Sequence, residues 1–126
     1  MIRVAFCSET GQYVDAHFAS CPHLFIYEIG LQGSKPLEEI SFTGAEQGED
    51  DRVARRVQAL QGCSFLYCSQ IGGPAAARLV QNNIYPLKVE AETTIVEAGG
   101  RLEELLHTSP PPWLKKKLLQ EAEPQN

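Results

Sequence analysis

The sequence predicts a single α/β domain in which five strands form one mixed sheet, with elements in the order βββαβαβα. Three observations carry this expectation. Up to Phe42 the chain holds three short runs rich in β-branched and aromatic side chains, whereas from Asp50 onward the apolar spacing turns helical. Phe65 to Cys68 is a continuous apolar run followed by Gly72-Gly73-Pro74 and a helical pattern, as in a buried βα unit. A length of 126 residues with 43% hydrophobic and 21% charged side chains suits one domain with its own core, and excludes both a second full domain and chain-wide disorder.

The elements follow in order. Ile2 to Cys7 is the first strand, ended by turn signals at Ser8 and Gly11. Leu24 to Ile29 is the second, and Gly30 to Pro36, with two glycines and a proline, is read as the hairpin loop before a third strand at Leu37 to Phe42. Asp50 to Leu60 sets Val53, Ala54, Val57 and Leu60 on one helical face; Asp50 and Asp51 suit the positive end of the helix dipole, and Gly62 stops the helix. Pro74 falls in the first turn of the next helix, where a missing N–H costs nothing, and Asn82-Asn83 closes it. Pro86 to Val89 is the fifth strand. Thr94-x-x-Glu97 is a capping box before Ile95, Ala98, Leu102, Leu105 and Leu106. Gly99 and Gly100 oppose that helix by about 1 kcal/mol each relative to alanine, so close packing on the sheet is expected there. Ser109-Pro110-Pro111-Pro112 ends the domain at residue 109. Residues 110–126 are read as a proline-led tail, with a short basic amphipathic helix from Trp113 to Leu119 and a frayed end from Glu121 to Asn126.

A net charge of −5 disfavours nonspecific binding to nucleic acid or to an anionic membrane as a main role. The first residues reach Ser8 and Glu9 without an apolar stretch for secretion, and no run approaches the roughly 18 apolar residues of a membrane span. A cytoplasmic location is expected, with Cys7, Cys21, Cys63 and Cys68 as thiols.

Two segments could carry chemistry. Ser8 to His23 joins two strands yet far exceeds the usual connection of about four to six residues. It holds Asp15, His17, Cys21 and His23, with Cys7 on the strand that feeds it. Imidazole and thiolate suit iron, zinc or an iron–sulfur cluster, although no Cys-x-x-Cys pair marks a closed zinc site. Solvated histidines and a buried Cys21 are the alternative. The second segment, Cys68 to Ala77, runs from a strand's carboxyl end to a helix's amino end, where α/β sheets favour ligands. Gly72 and Gly73 there could expose amides to an anion. The segment lacks Gly-x-Gly-x-x-Gly and a phosphate-loop lysine, so an ordinary βα turn is its alternative. Cys63 and Cys68 read as core unless Cys68 points into the cleft. His107 suits an exposed helix terminus, and Lys115-Lys116-Lys117 a solvated face.

Val14-Asp15-Ala16-His17-Phe18, Tyr27-Glu28, Tyr67-Cys68, Ile71 through Arg78, and Pro86-Leu87-Lys88-Val89 together resemble the NifX, NafY and NifB carboxyl-terminal family of nitrogenase cofactor-binding domains. The resemblance covers roughly residues 1 to 107, and Pro112-Trp113-Leu114 is similar to tails in the family. It implies a ribonuclease-H-like sheet and a non-catalytic carrier of the iron-molybdenum cofactor or its iron–sulfur precursor. The implied partners are a cofactor-assembly scaffold and a precursor-synthesising protein. His17 stands at the family's histidine and is the metal ligand so implied. Asp15, Phe18, Cys21, Cys68, Gly72, Gly73 and Arg78 complete the expected cofactor-binding set, although Cys21 is not a fixed feature of the family; Lys88 is a further candidate cation. Ala19 departs from the family's glycine after Phe18, so a different bend of the loop is expected.

Two other classes compete. A nuclease of the same fold needs carboxylates on central strands, and Ile2 to Cys7 and Phe65 to Cys68 contain none. An interaction module would use Trp113 and the lysines to dock a partner.

Overall fold

The computed structural model describes residues 1–44, 46–108 and 110–116. Strands β1 (Ile2–Ser8), β2 (His23–Gly30) and β3 (Gly33–Ser41) pair antiparallel, and β4 (Phe65–Cys68) and β5 (Tyr85–Lys88) extend the sheet in parallel from β1. The spatial order is β3-β2-β1-β4-β5. With helices α1 (Glu49–Ala59), α2 (Gly73–Gln81) and α3 (Ile95–Thr108), this is the mixed five-stranded α/β domain that the sequence predicts.

The central strands β1 and β4 are apolar apart from Arg3 and Ser8 because both of their faces are covered. On one face Ala5, Cys7, Leu66 and Cys68 pack with Val53 and Val57 of α1, with Leu60 that caps it, and with Ala75 and Leu79 of α2. On the other, Ile2, Val4, Phe6, Phe65 and Tyr67 pack with Ile95, Ala98, Leu102 and Leu106 of α3. The capping box forms: the Glu97 amide donates to Thr94 Oγ1 at 3.0 Å, and the Thr94 hydroxyl donates to the Glu97 carboxylate at 3.0 Å.

Three expectations change. The hairpin loop is only Leu31-Gln32, because Gly30 pairs with Gly33 and β3 already includes Pro36. A proline is tolerated on an edge strand, and the register shift opposite Ile26 and Tyr27 takes up the extra residue. Packing does not account for the α3 glycines. A methyl at Gly99 would meet Ile29 Cδ1 at an ordinary 3.7 Å, and one at Gly100 would meet nothing within 4 Å. The segment after the prolines also lies on the domain. Residues 112–116 are helical, Leu114 is fully buried in the α3-side core, and the Trp113 ring sits 4.9 Å from Tyr85 and 5.8 Å from Phe65. Lys115 and Lys116 are exposed; Lys117 and the rest of the tail fall outside the described residues.

Pro86 is placed so that β5 can be an edge. Tyr85 and Val89 donate their amides inward, to Ser64 and Cys68 carbonyls, so the alternating position of Pro86 faces outward, where its missing N–H removes a donor from the free edge.

Candidate functional site

The long connection from β1 to β2 is pinned to the carboxyl end of the parallel strands. Ser8 Oγ accepts the Gly11 amide at 2.8 Å, and Asp15 Oδ1 accepts the Glu9 amide at 3.0 Å, folding the first half back on itself. Backbone bonds then take over. The Val14 amide donates to Thr93 and Ile95 donates to Gln12, while Ser69 donates to Ala16 and Phe18 donates to Gln70, all within 2.8 to 3.1 Å. Side chains lock the segment from both sides: Val14 joins the α3-side core, and Ala16, Phe18 and Ala19 join the α1/α2-side core. Between these anchors His17 remains exposed, bridged to Gln70 two residues beyond β4.

His17 also caps the single 3-10 turn at Phe18–Ser20, its Nδ1 accepting the Ala19 amide at 3.2 Å. An amide can only donate, so in this arrangement the neutral ring carries its hydrogen on Nε2. Binding a metal through Nε2 requires that hydrogen to move to Nδ1, at the expense of the cap. Ala19 lies in the turn without positive φ, so this bend needs no glycine.

Beside Gln70 opens a cleft of about 610 Å³ lined by Ser69, Gln70, Lys88, Val89, Glu90, Glu92, Thr93, Glu97 and Arg101. It lies between the ends of β4 and β5 and the start of α3, at the edge where α/β sheets offer ligand sites. Its charge is uneven. Lys88 and Arg101 are cationic, whereas Glu90 and Glu92 make its outer loop acidic; Glu97 is engaged in the capping box and lies 3.8 Å from Arg101, so carboxylates outnumber cations here as they do in the smaller groove at Gly72.

Gly72 and Arg78 open elsewhere, on a groove of about 80 Å³ shared with Glu49, Asp50, Pro74 and Ala75. The two α1 carboxylates turn that groove acidic, which works against an anion at the α2 amino end. The exposed Gly73 has open space where a side chain would project, so neither glycine is required by contact.

The predicted thiols all lie inside. Cys7, Cys21 and Cys68 are fully buried on the α1/α2 side, and Phe18 is buried with them. Burial pushes the Cys68 thiol up to about 12, with the Cys21 sulfur adding to the rise. His23 hydrogen-bonds Ser41 across the β2–β3 pair at 2.9 Å, and His107 is exposed in the last turn of α3. Of the predicted residues, Lys88 lines the large cleft, His17 adjoins it through its bridge to Gln70 without lining it, and Arg78 and Gly72 share the other groove. Ser69 and Gln70 fall in the second predicted segment, but sequence reasoning did not find Thr93 or Arg101, nor that the long loop pairs with the chain after β4, because such backbone pairing leaves no pattern in the sequence. It also passed over Arg56, which had a readable signal: an arginine at the helical spacing of Val53, Val57 and Leu60 is on the apolar face.

Comparison with known proteins places this geometry in a lineage. Residues 1–105 match the model of the family described as dinitrogenase iron-molybdenum cofactor. The chain belongs to that family. It is 36% identical over 94% of its length to Protein NifX of Sinorhizobium fredii, covering 79% of that protein, and 37% identical over 91% of its length to Protein NifX of Herbaspirillum seropedicae, covering 80%. An NMR structure of a Thermotoga protein described as NifB, of the DUF35 family, superposes with a TM-score of 0.58 at 23% identity, over 84% of this chain and 90% of that one, and supports the fold. The match to the dinitrogenase iron-molybdenum cofactor family spans His17 and every residue of the large cleft, whereas Trp113 and Leu114 lie beyond it. Among the described residues no helix is long and apolar enough to cross a membrane.

Proposed function

We propose that this protein binds and carries the iron-molybdenum cofactor, or its iron–sulfur precursor, during nitrogenase cofactor assembly, and that it does so without catalysis. The observation that carries the reading is His17: an exposed imidazole on a loop fastened at both ends, next to a roomy cleft, in a chain of this family. A borderline-soft nitrogen ligates an iron cluster, Lys88 and Arg101 offset its negative charge, and the openness of the site suits transfer. Cys21 and Cys68, buried in the core, are left out of the ligand set in this reading. Asp15 and Phe18 support the loop, Asp15 through the Glu9 amide and Phe18 through the core. The partners in this reading are a protein that makes the precursor and a scaffold that matures or receives the cofactor.

The 3-10 cap allows a clean test. Asparagine retains a capping acceptor but not the imidazole. In anaerobic visible-absorption titrations with isolated cofactor and with precursor, both His17→Asn and His17→Ala are expected to weaken binding tenfold or more, about 1.4 kcal/mol. Wild-type affinity in His17→Asn with a loss in His17→Ala would reduce His17 to a cap and sink the ligand assignment. No binding by the wild-type chain would favour a pure interaction module.

A further inference from the structure

Behind the loop, on the α1/α2 side, a buried cation grips the far end of the turn that His17 opens. Arg56 of α1 is 2% exposed. Its guanidinium donates to the Cys21 carbonyl at 2.7 Å, to the Arg52 carbonyl at 3.0 Å and to the Glu46 carboxylate at 2.8 Å, and lies 4.1 Å from the centre of the Phe42 ring. The Phe42 amide in turn donates to the Pro22 carbonyl at 3.0 Å. One side chain thus ties α1 and the connection after β3 to the residues that close the loop. Stability does not account for it. Enclosing a charge is costly, the Arg56 Nε has no hydrogen-bond partner among the described residues, and a buried ion pair is often no more stable than apolar side chains of the same volume.

We propose that Arg56, held by Glu46, is a positioning residue for His17: a buried clasp that keeps the 3-10 turn formed when the imidazole gives up its cap. The turn is held at both ends, by unequal means. At its start, His17 Nδ1 accepts the Ala19 amide at 3.2 Å, a bond the ring forfeits once its hydrogen moves to Nδ1 to free Nε2 for a metal. At its close, the Cys21 amide reaches the Phe18 carbonyl only at 3.5 Å, which is a weak bond. Phe18, Ala19 and Cys21 are buried, but burial is non-directional and does not fix how a peptide is turned. The guanidinium does. Its bond to the Cys21 carbonyl is short and charge-assisted, roughly twice as strong as a neutral one, and its donor stands on α1, outside the loop that must adjust. Recruiting His17 to a cluster therefore costs the turn its cap but not its clasp, and the loop keeps the shape that presents the ring. The consequence for binding rests on the carrier reading, whereas the hold on the turn does not.

The test compares His17→Ala, which removes the cap, with the paired change Arg56→Met and Glu46→Gln, which removes the clasp without stranding either charge. Amide hydrogen exchange is read at Ser20 and Cys21 in the full chain without cofactor, and Phe6 of β1 reports on the fold as a whole. Either change alone is expected to speed exchange in the turn by less than about tenfold, because the other end still holds, and all three substitutions together by about a hundredfold or more, well beyond any change at Phe6. In anaerobic titration with isolated cofactor, the paired change is expected to weaken binding about tenfold in the wild-type background and not at all in His17→Asn, where the ligand is already gone. Arg56→Lys keeps the cation beside Glu46 without the planar fork, so it is expected to show the same pattern more weakly, and it serves if the paired change does not fold. The proposal is overturned if the combined variant exchanges no faster in the turn than either change alone, if Phe6 accelerates equally, or if the paired change binds cofactor as tightly as wild type. A folded Arg56→Lys that matches wild type in both readouts also overturns it. The expected exchange pattern with no binding by the wild-type chain would reject the carrier reading alone.

Discussion

The two faces of the sheet bury different chemistry. Toward α1 and α2 lie thiols, alanines and the one charged side chain enclosed in the core among the described residues, Arg56. Toward α3 lie aromatic rings: Phe6 stacks on Tyr67 at 5.1 Å and meets Tyr27 edge-on at 5.5 Å, and Leu114 closes the layer from beyond the family-matched region. The large cleft opens where α3 starts, while the small acidic groove opens where α1 and α2 start. The contrast teaches that the buried thiols and the open cleft are separated by the sheet, and that the long loop spans both sides, with Phe18 on one, Val14 on the other and His17 between them.

The strongest challenge to this division is Leu114→Ala. A fully buried leucine on the α3 face should cost about 2 to 5 kcal/mol in urea unfolding, and removing residues 110–126 should lower Tm similarly. A near-neutral result would return residues 110–126 to the role of a dispensable tail. Alkaline titration tests the opposite face. Cys68 ionises near its ordinary 9.0 when unfolded but only near about 12 when folded, so its contribution to stability is present below pH 9 and is lost as pH rises from 9 toward 12. Thermal scans should show Tm falling across that window, less steeply in Cys68→Ala; equal slopes would mean the α1/α2 face does not hold the thiol neutral. Charge reversal separates the grooves. Lys88→Glu with Arg101→Glu should weaken cofactor titration tenfold or more, about 1.4 kcal/mol, whereas Arg78→Glu should stay near wild type. The reverse ranking would move the cofactor to the Gly72 groove. The smallest effect belongs to Gly100→Ala, which should raise stability by about 1 kcal/mol because a methyl there meets open space.

Much of the fold was readable because local rules act on neighbours in sequence. The capping box at Thr94 and Glu97, Pro74 in the first turn of α2 and the acidic start of α1 form as read. Strand β3 was less legible: Pro36 is a loop signal in isolation, and only an edge position with a register shift makes it part of a strand. Within the candidate site, His17 was legible from an over-long connection and a family motif. Gln70 and Lys88 were legible as members of separate candidates, but their meeting with Arg101 in one cleft was not, since the three come from separate stretches of chain and meet only when β4, β5 and α3 are assembled.

The sequence by itself determined the order of elements, the two-sided burial of the central strands and the presence of an imidazole on a long loop, because periodicity, capping and turn chemistry are properties of adjacent residues. Only the tertiary structure decided that the thiols face inward, that Arg78 looks onto α1 carboxylates rather than the large cleft, that Leu114 belongs to the core, and that Arg56 lies against Cys21. Each of these depends on which distant element covers a given face. That is set by packing the whole chain at once, and short-range pattern carries no record of it.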